Sequence, residues 1–149
     1  MPDEQRRNQK SSFPLLVAVA NKDHQLLIQY SLLASMPQAQ AAFASTGDDA
    51  VAYLAESIAK EPFPRLVLLD VYLPSLQAGY QLIKHVKKTY PFLPIVAISG
   101  DSDAGIVKHA YELGVHSFLI KPVYLEEWEH YFRVFNAYWS GVVTLPPSV

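Results

Sequence analysis

The stretch Arg65-Leu66-Val67-Leu68-Leu69-Asp70 runs four apolar residues without polar alternation into a single carboxylate. A strand with one wet face would alternate, so an unbroken run points to a strand buried on both faces, as in a parallel sheet. Pro62 and Pro64 break the chain before it and Pro74 follows it. Working outward, three more runs repeat the pattern. Leu15-Leu16-Val17-Ala18-Val19 follows Pro14, Ile95-Val96-Ala97-Ile98 follows Pro94 and ends at Ser99, and Ser117-Phe118-Leu119-Ile120 ends at Lys121-Pro122. Residues 40–44 make a weaker fifth candidate.

The intervening segments carry helical spacing. Leu26, Leu27, Tyr30 and Leu33 place a helix over residues 24–34, closed by Pro37. Thr46-Gly47-Asp48 opens a second with N-cap chemistry, and Val51, Leu54 and Ile58 form its stripe. Residues 74–79 read as loop, followed by a helix over 80–88 with Leu82, Ile83 and Val86 inward and Lys84, Lys87 and Lys88 outward. Residues 104–113 read as helix stopped by Gly114, and 125–139 as the last helix. Strand and helix alternate about five times, which predicts an α/β fold: a five-stranded parallel sheet with helices on both faces. The expected domain covers residues 13–140, between a flexible polar tail (1–12) and a C-terminal tail (141–149).

Composition narrows the function. The chain has 149 residues, half of them hydrophobic, enough for one core and not for two. Charged residues are 17%, below the roughly 25% of an average soluble chain, which excludes a solvating tail. A net charge of −2 gives no field to draw nucleic acid or an anionic membrane, so neither is expected as a partner. The absence of cysteine excludes disulfides, thiol catalysis and thiolate zinc sites. The first dozen residues lack the apolar core of a signal peptide, and the expected location is cytoplasmic.

In an open parallel sheet, ligands sit at the carboxyl ends of the strands. Three polar residues end three of the runs: Asp70, Ser99 and Lys121. Singly, each is an ordinary turn former or cap. Together they are chemically coherent, because a carboxylate can attack a phosphoryl group while a hydroxyl and an ammonium hold the transferred oxygens. The bond between Lys121 and Pro122 is a candidate cis peptide that would aim the lysine.

Asp70, Leu73-Pro74, Gly79, Ser99-Gly100 and Phe118-Leu119-Ile120-Lys121-Pro122 resemble the receiver domain of two-component response regulators, over residues 15–139. The resemblance implies a flavodoxin-like, CheY-like (βα)5 fold that is not an enzyme. It also implies phosphorelay signalling, with Asp70 as phosphoacceptor, Ser99 as switch hydroxyl, Phe118 as aromatic switch and Lys121 as the phosphate-contacting lysine. A histidine kinase or phosphotransfer protein would be the donor and a downstream protein the listener. Tyr138-Trp139, Val142-Val143 and Leu145-Pro146 are similar to the ending of stand-alone receivers.

One motif departs from the pattern. Receivers carry two adjacent acidic residues after the first strand, which help hold Mg²⁺, and here Ala20 and Asn21 stand there. Mg²⁺ wants oxygen ligands, preferably charged. Asp70, the backbone carbonyl of Tyr72 and the neutral Asn21 amide oxygen remain, so binding should be weakened or absent. Asp23 is expected in solvent or as a cap, and Lys22 in solvent rather than paired with Asp70. The segment between Pro74 and Gly79 is one residue longer than the family loop. The alternative to a phosphoacceptor is a phosphorylation-independent pseudo-receiver, an interaction module.

Competing chemistries fit less well. A haloacid-dehalogenase-type phosphatase needs a second aspartate two residues after the nucleophile, where this chain has Tyr72. A nucleotide site needs a glycine-rich turn after the first strand, which residues 21–24 do not supply. The five histidines show no metal-ligand spacing and are assigned to surface or helix faces. In the last helix, Trp128, Phe132, Phe135 and Trp139 are expected in the core. Tyr131 and Tyr138 lie off that stripe as candidates for a dimer or partner interface.

Overall fold

The computed structural model describes residues 12–142. The two expected tails lie almost wholly outside them, as do Val143, Leu145 and Pro146. In chain order the elements are β1 (Phe13–Ala18), α1 (Lys22–Ser35), β2 (Ala39–Ala44), α2 (Gly47–Ala59), β3 (Leu66–Asp70), α3 (Leu76–Thr89), β4 (Ile95–Ser99), α4 (Ala104–Leu113), β5 (Ser117–Ile120) and α5 (Leu125–Asn136). The last helix does not stay α-helical to residue 139. It passes into a π-helical extension, Ala137–Val142.

All strand pairings are parallel, in the order β2-β1-β3-β4-β5. The unbroken apolar runs are explained by what covers them. Leu16, Ala18, Val67, Leu69, Ile95 and Ala97 face one core with α2, α3 and α4. Leu15, Val17, Leu66, Leu68, Val96 and Ile98 face another with α1 and α5. Every residue of β1, β3 and β4 is buried, so neither face tolerates a polar residue until the strand ends.

The helix faces correct three expectations. On α1 the buried residues are Ile28, Ser31 and Leu32, whereas Leu26, Tyr30 and Leu33 are exposed. The helix is apolar on both sides, and Ser31 enters the core because its hydroxyl donates to the Leu27 carbonyl at 2.6 Å. On α2, Ser57 is buried by the same device, donating to Tyr53 at 2.7 Å, and Ile58 is exposed. The third correction is at α3, which starts at Leu76 within the expected loop. Ser75 caps it by accepting the Ala78 N–H at 3.1 Å. Gly79 is needed there for closeness: a Cβ would stand 1.8 Å from the Val71 carbonyl oxygen. The stripes of α3 (Leu82, Ile83, Val86) and of α5 (Trp128, Phe132, Phe135, with Trp139 beyond) are buried as expected. Gly114 ends α4 at φ 106°, the left-handed cap its position predicts.

Candidate functional site at the strand ends

The strand order reverses direction at β1, between β2 and β3, and opens a crevice at the carboxyl ends where doubly wound sheets bind their ligands. Asp70 closes β3, Ser99 closes β4, and Lys121 follows directly on β5, tied by its N–H to the Ser99 carbonyl at 2.8 Å. The fold thus brings Asp70 and Lys121 together. The Lys121 ammonium donates to Asp70 Oδ2, and both side chains are 10% exposed. Asp70 Oδ1 accepts the Tyr72 N–H at 3.0 Å. The cis proline bonds among the described residues are Glu61–Pro62 and Leu73–Pro74, so the lysine is not aimed by a cis bond at Pro122. Its direction comes from the strand end and from its two acceptors.

The second acceptor is His24, expected on a surface or helix face and found in the first turn of α1 against the crevice. Its Nδ1 lies 2.8 Å from the Lys121 ammonium. An ammonium only donates, so Nδ1 accepts and the ring proton sits on Nε2. Burial first, then the lysine charge, lowers the His24 pKa from its ordinary value, with Asp70 and Asp23 pulling the other way. The contact was invisible in the sequence because the partners lie 97 residues apart.

The rest of the β1–α1 turn is occupied with building the helix. Asn21 is the N-cap of α1, its Oδ1 accepting the His24 N–H at 3.0 Å. Ala20 packs against the first core. Lys22 does not reach Asp70; it is exposed and donates to Ser45 Oγ at 2.8 Å. Asp23 sits in the first turn of the helix and does not cap it.

These donors do not fit a Mg²⁺ site. The lone carboxylate has one oxygen under an ammonium and the other on a backbone N–H. The asparagine oxygen is turned to the helix, and Ala20 has nothing to give. Among the described residues, no cluster of three or more acidic, histidine or cysteine side chains is placed to hold a metal.

Across the crevice, Ser99 is fully buried and its Oγ accepts the Asp101 N–H at 3.0 Å. The Tyr72 phenol donates to Asp101 Oδ2 at 3.3 Å, linking the turns after β3 and β4. Desolvation, then the Asp101 charge, raises the Tyr72 pKa. The sequence points to Tyr72 for its carbonyl and for the acid missing at its position, and not for this phenol contact, whose partner lies 29 residues away. Phe118 is half-buried against the first core, its N–H donating to the Tyr111 hydroxyl at 3.0 Å.

An apolar groove of about 280 Å³ runs between β5 and the last helix, with Leu119, Trp128, Tyr131 and Tyr138 in its walls. Tyr131 is half-buried and donates to the Ile120 carbonyl at 2.8 Å, whereas Tyr138 is exposed beside His116.

A doubly wound five-stranded sheet with an aspartate, a hydroxyl and a lysine at successive strand ends defines a CheY-like signalling domain. The family model for the response regulator receiver domain matches residues 16–133, and the chain belongs to that family. A curated relative is the transcriptional regulatory protein CitB of Klebsiella pneumoniae, 35% identical over 79 residues, which are 53% of this chain and 33% of CitB. The chain therefore spans about a third of that relative's length. Among solved structures, it is similar to the phosphorylated cyanobacterial phytochrome response regulator RcpA. The TM-score is 0.81 and the identity 26%, covering 91% of this chain and 99% of that one. The Mn²⁺-bound form of response regulator Rcp1 matches with TM-score 0.78 and 25% identity, at the same coverages. The chain is a receiver domain of two-component signalling.

Proposed function

We propose that this receiver works as a single-domain regulator: it accepts a phosphoryl group on Asp70 and passes the signal by protein contacts. The observation that carries the reading is the Asp70–Lys121 contact in the crevice, one strand from the buried Ser99 hydroxyl. A histidine kinase or phosphotransfer protein presents a phosphohistidine. An Asp70 oxygen attacks phosphorus, an O–P bond forms, the P–N bond breaks, and the imidazole leaves with the electron pair and takes a proton from water. Lys121 balances charge on the phosphoryl oxygens, and Ser99 donates to one of them. Ser99 and Phe118 then report the new charge to β5 and α5, a shift between two states.

The output surface in this reading is the last helix and the groove beside β5. A downstream protein or a second copy of the chain docks there, with Tyr138 as the exposed anchor. Sedimentation of Tyr131→Ala and Tyr138→Ala variants tests the dimer, which fails if self-association matches the parent chain. A cytoplasmic location fits the kinase partner; among the described residues no helix is long and apolar enough to cross a membrane.

A second reading keeps the fold without the chemistry, as a phosphorylation-independent interaction module. It is favoured by Asn21 serving the helix cap and Ala20 the core. Intact-protein mass after incubation with a small phosphodonor, then with a kinase, decides. One added phosphoryl group, absent in Asp70→Asn, supports the first reading, and no gain with either donor supports the second.

A further inference from the structure

We infer that His24 is a positioning residue for Lys121, fixing the ammonium over Asp70 so that the lysine is the standing counter-cation of this crevice. The inference deepens the reading of the same site, but it stands on contacts present before any phosphoryl group arrives. Three observations converge on it. The ammonium has two acceptors from different parts of the chain, Asp70 Oδ2 from the end of β3 and His24 Nδ1 from the first turn of α1. The histidine is itself held, because its N–H is the one that Asn21 caps, and Gln25 one residue on donates to the Val19 carbonyl at 2.6 Å. Finally, the positions that would compete for Asp70 by recruiting a metal hold an alanine packed against the core and a capping asparagine.

A lysine with one acceptor swings on a flexible four-carbon stem, whereas two acceptors on separate elements fix its head. A hydrogen bond to a charged donor is among the stronger ones in a protein, so its loss should free the ammonium measurably. His24 would thus do, by orientation, part of what a divalent ion does by charge. It would keep a cation against Asp70 and aimed into the crevice.

Nitrogen-15 NMR of the unaltered chain tests this without phosphoryl transfer, so it can fail while the phosphoacceptor reading survives, and the reverse. The His24 ring should show an unprotonated Nδ1 and a protonated Nε2; a proton on Nδ1 overturns the inference. The Lys121 ammonium signal, identified by its disappearance in Lys121→Arg, should be protected and should persist in millimolar Mg²⁺. Its displacement by Mg²⁺ overturns the inference. In His24→Ala its hydrogen exchange should quicken about tenfold, and in His24→Gln, which keeps an acceptor, it should return toward the parent rate. Equal exchange in parent and His24→Ala also overturns it. Should His24→Ala not fold, the ring measurement decides.

Discussion

The two sides of the crevice were built to different demands. On the β3–β5 side the strand ends carry Asp70, Ser99 and then Lys121, with Asp70 and Lys121 in contact and the buried Ser99 hydroxyl on the strand between them. On the β1 side, the turn that faces them spends its residues on structure, with Ala20 packed against the core and Asn21 capping α1. The topology imposes the meeting place, since the strand order reverses there. It does not impose the chemistry. One side can lose its acidic pair while the other keeps its full set, and a histidine one helical turn along then takes the space beside the lysine.

The β3 side is most vulnerable through its backbone. Gly79→Ala drives a methyl into the Val71 carbonyl and should cost about 4 kcal/mol in urea unfolding, or leave no folded protein. A near-neutral variant would mean that α3 does not press on the turn after Asp70. Next, Lys121→Met leaves a largely buried carboxylate without its cation and should cost about 3 kcal/mol at neutral pH. Most of that loss should return in the double variant with Asp70→Asn, measured by the same denaturation. If the single variant is as stable as the parent, the pair carries no structural weight.

The β1 side should respond more gently. Asn21→Ala removes the cap of α1 and should cost about 1 kcal/mol, while Asn21→Asp, an equally good cap, should stay within a few tenths. Equal stability of all three would show that the turn is not committed to the helix. The smallest effect concerns acid. The pKa of His24 is lowered in the fold, so the folded chain resists its protonation more than the unfolded chain does. The stability it contributes is present above about pH 6.5 and is lost as pH falls through the lowered value. The charges facing it are Lys121, Asp70 and Asp23. His24→Gln should flatten that part of a melting-temperature profile against pH, and an unchanged slope would remove His24 as its source.

What the sequence discloses follows from what each residue must satisfy locally. β5, expected as a run buried on both faces, is instead an edge strand that is only half-buried, with Ile120 exposed. β1, β3 and β4 are legible because a strand covered on both faces cannot hide a polar residue. The turn that ends it must then take one, which exposed Asp70, Ser99 and Lys121. α1 was legible as a helix but not in its facing, since Leu26, Tyr30 and Leu33 make as regular a stripe as Ile28, Ser31 and Leu32. Only the hydroxyl's bond to Leu27 shows why the serine goes in. The start of α3 was hidden by Gly79, read as a loop residue when its role is to let a helix approach a turn. His24 was hidden because its meaning lies wholly in a partner brought over by the fold.

The contact at Gly79 reaches beyond stability. Where a helix touches a turn through bare backbone, neither can slide without the other, since no flexible side chain lies between to absorb the shift. The turn that follows Asp70 and the whole length of α3 therefore form one mechanical piece. A change of charge on that aspartate that displaces its own turn would be felt at the far end of α3, by Lys87 and Lys88 in its last turn.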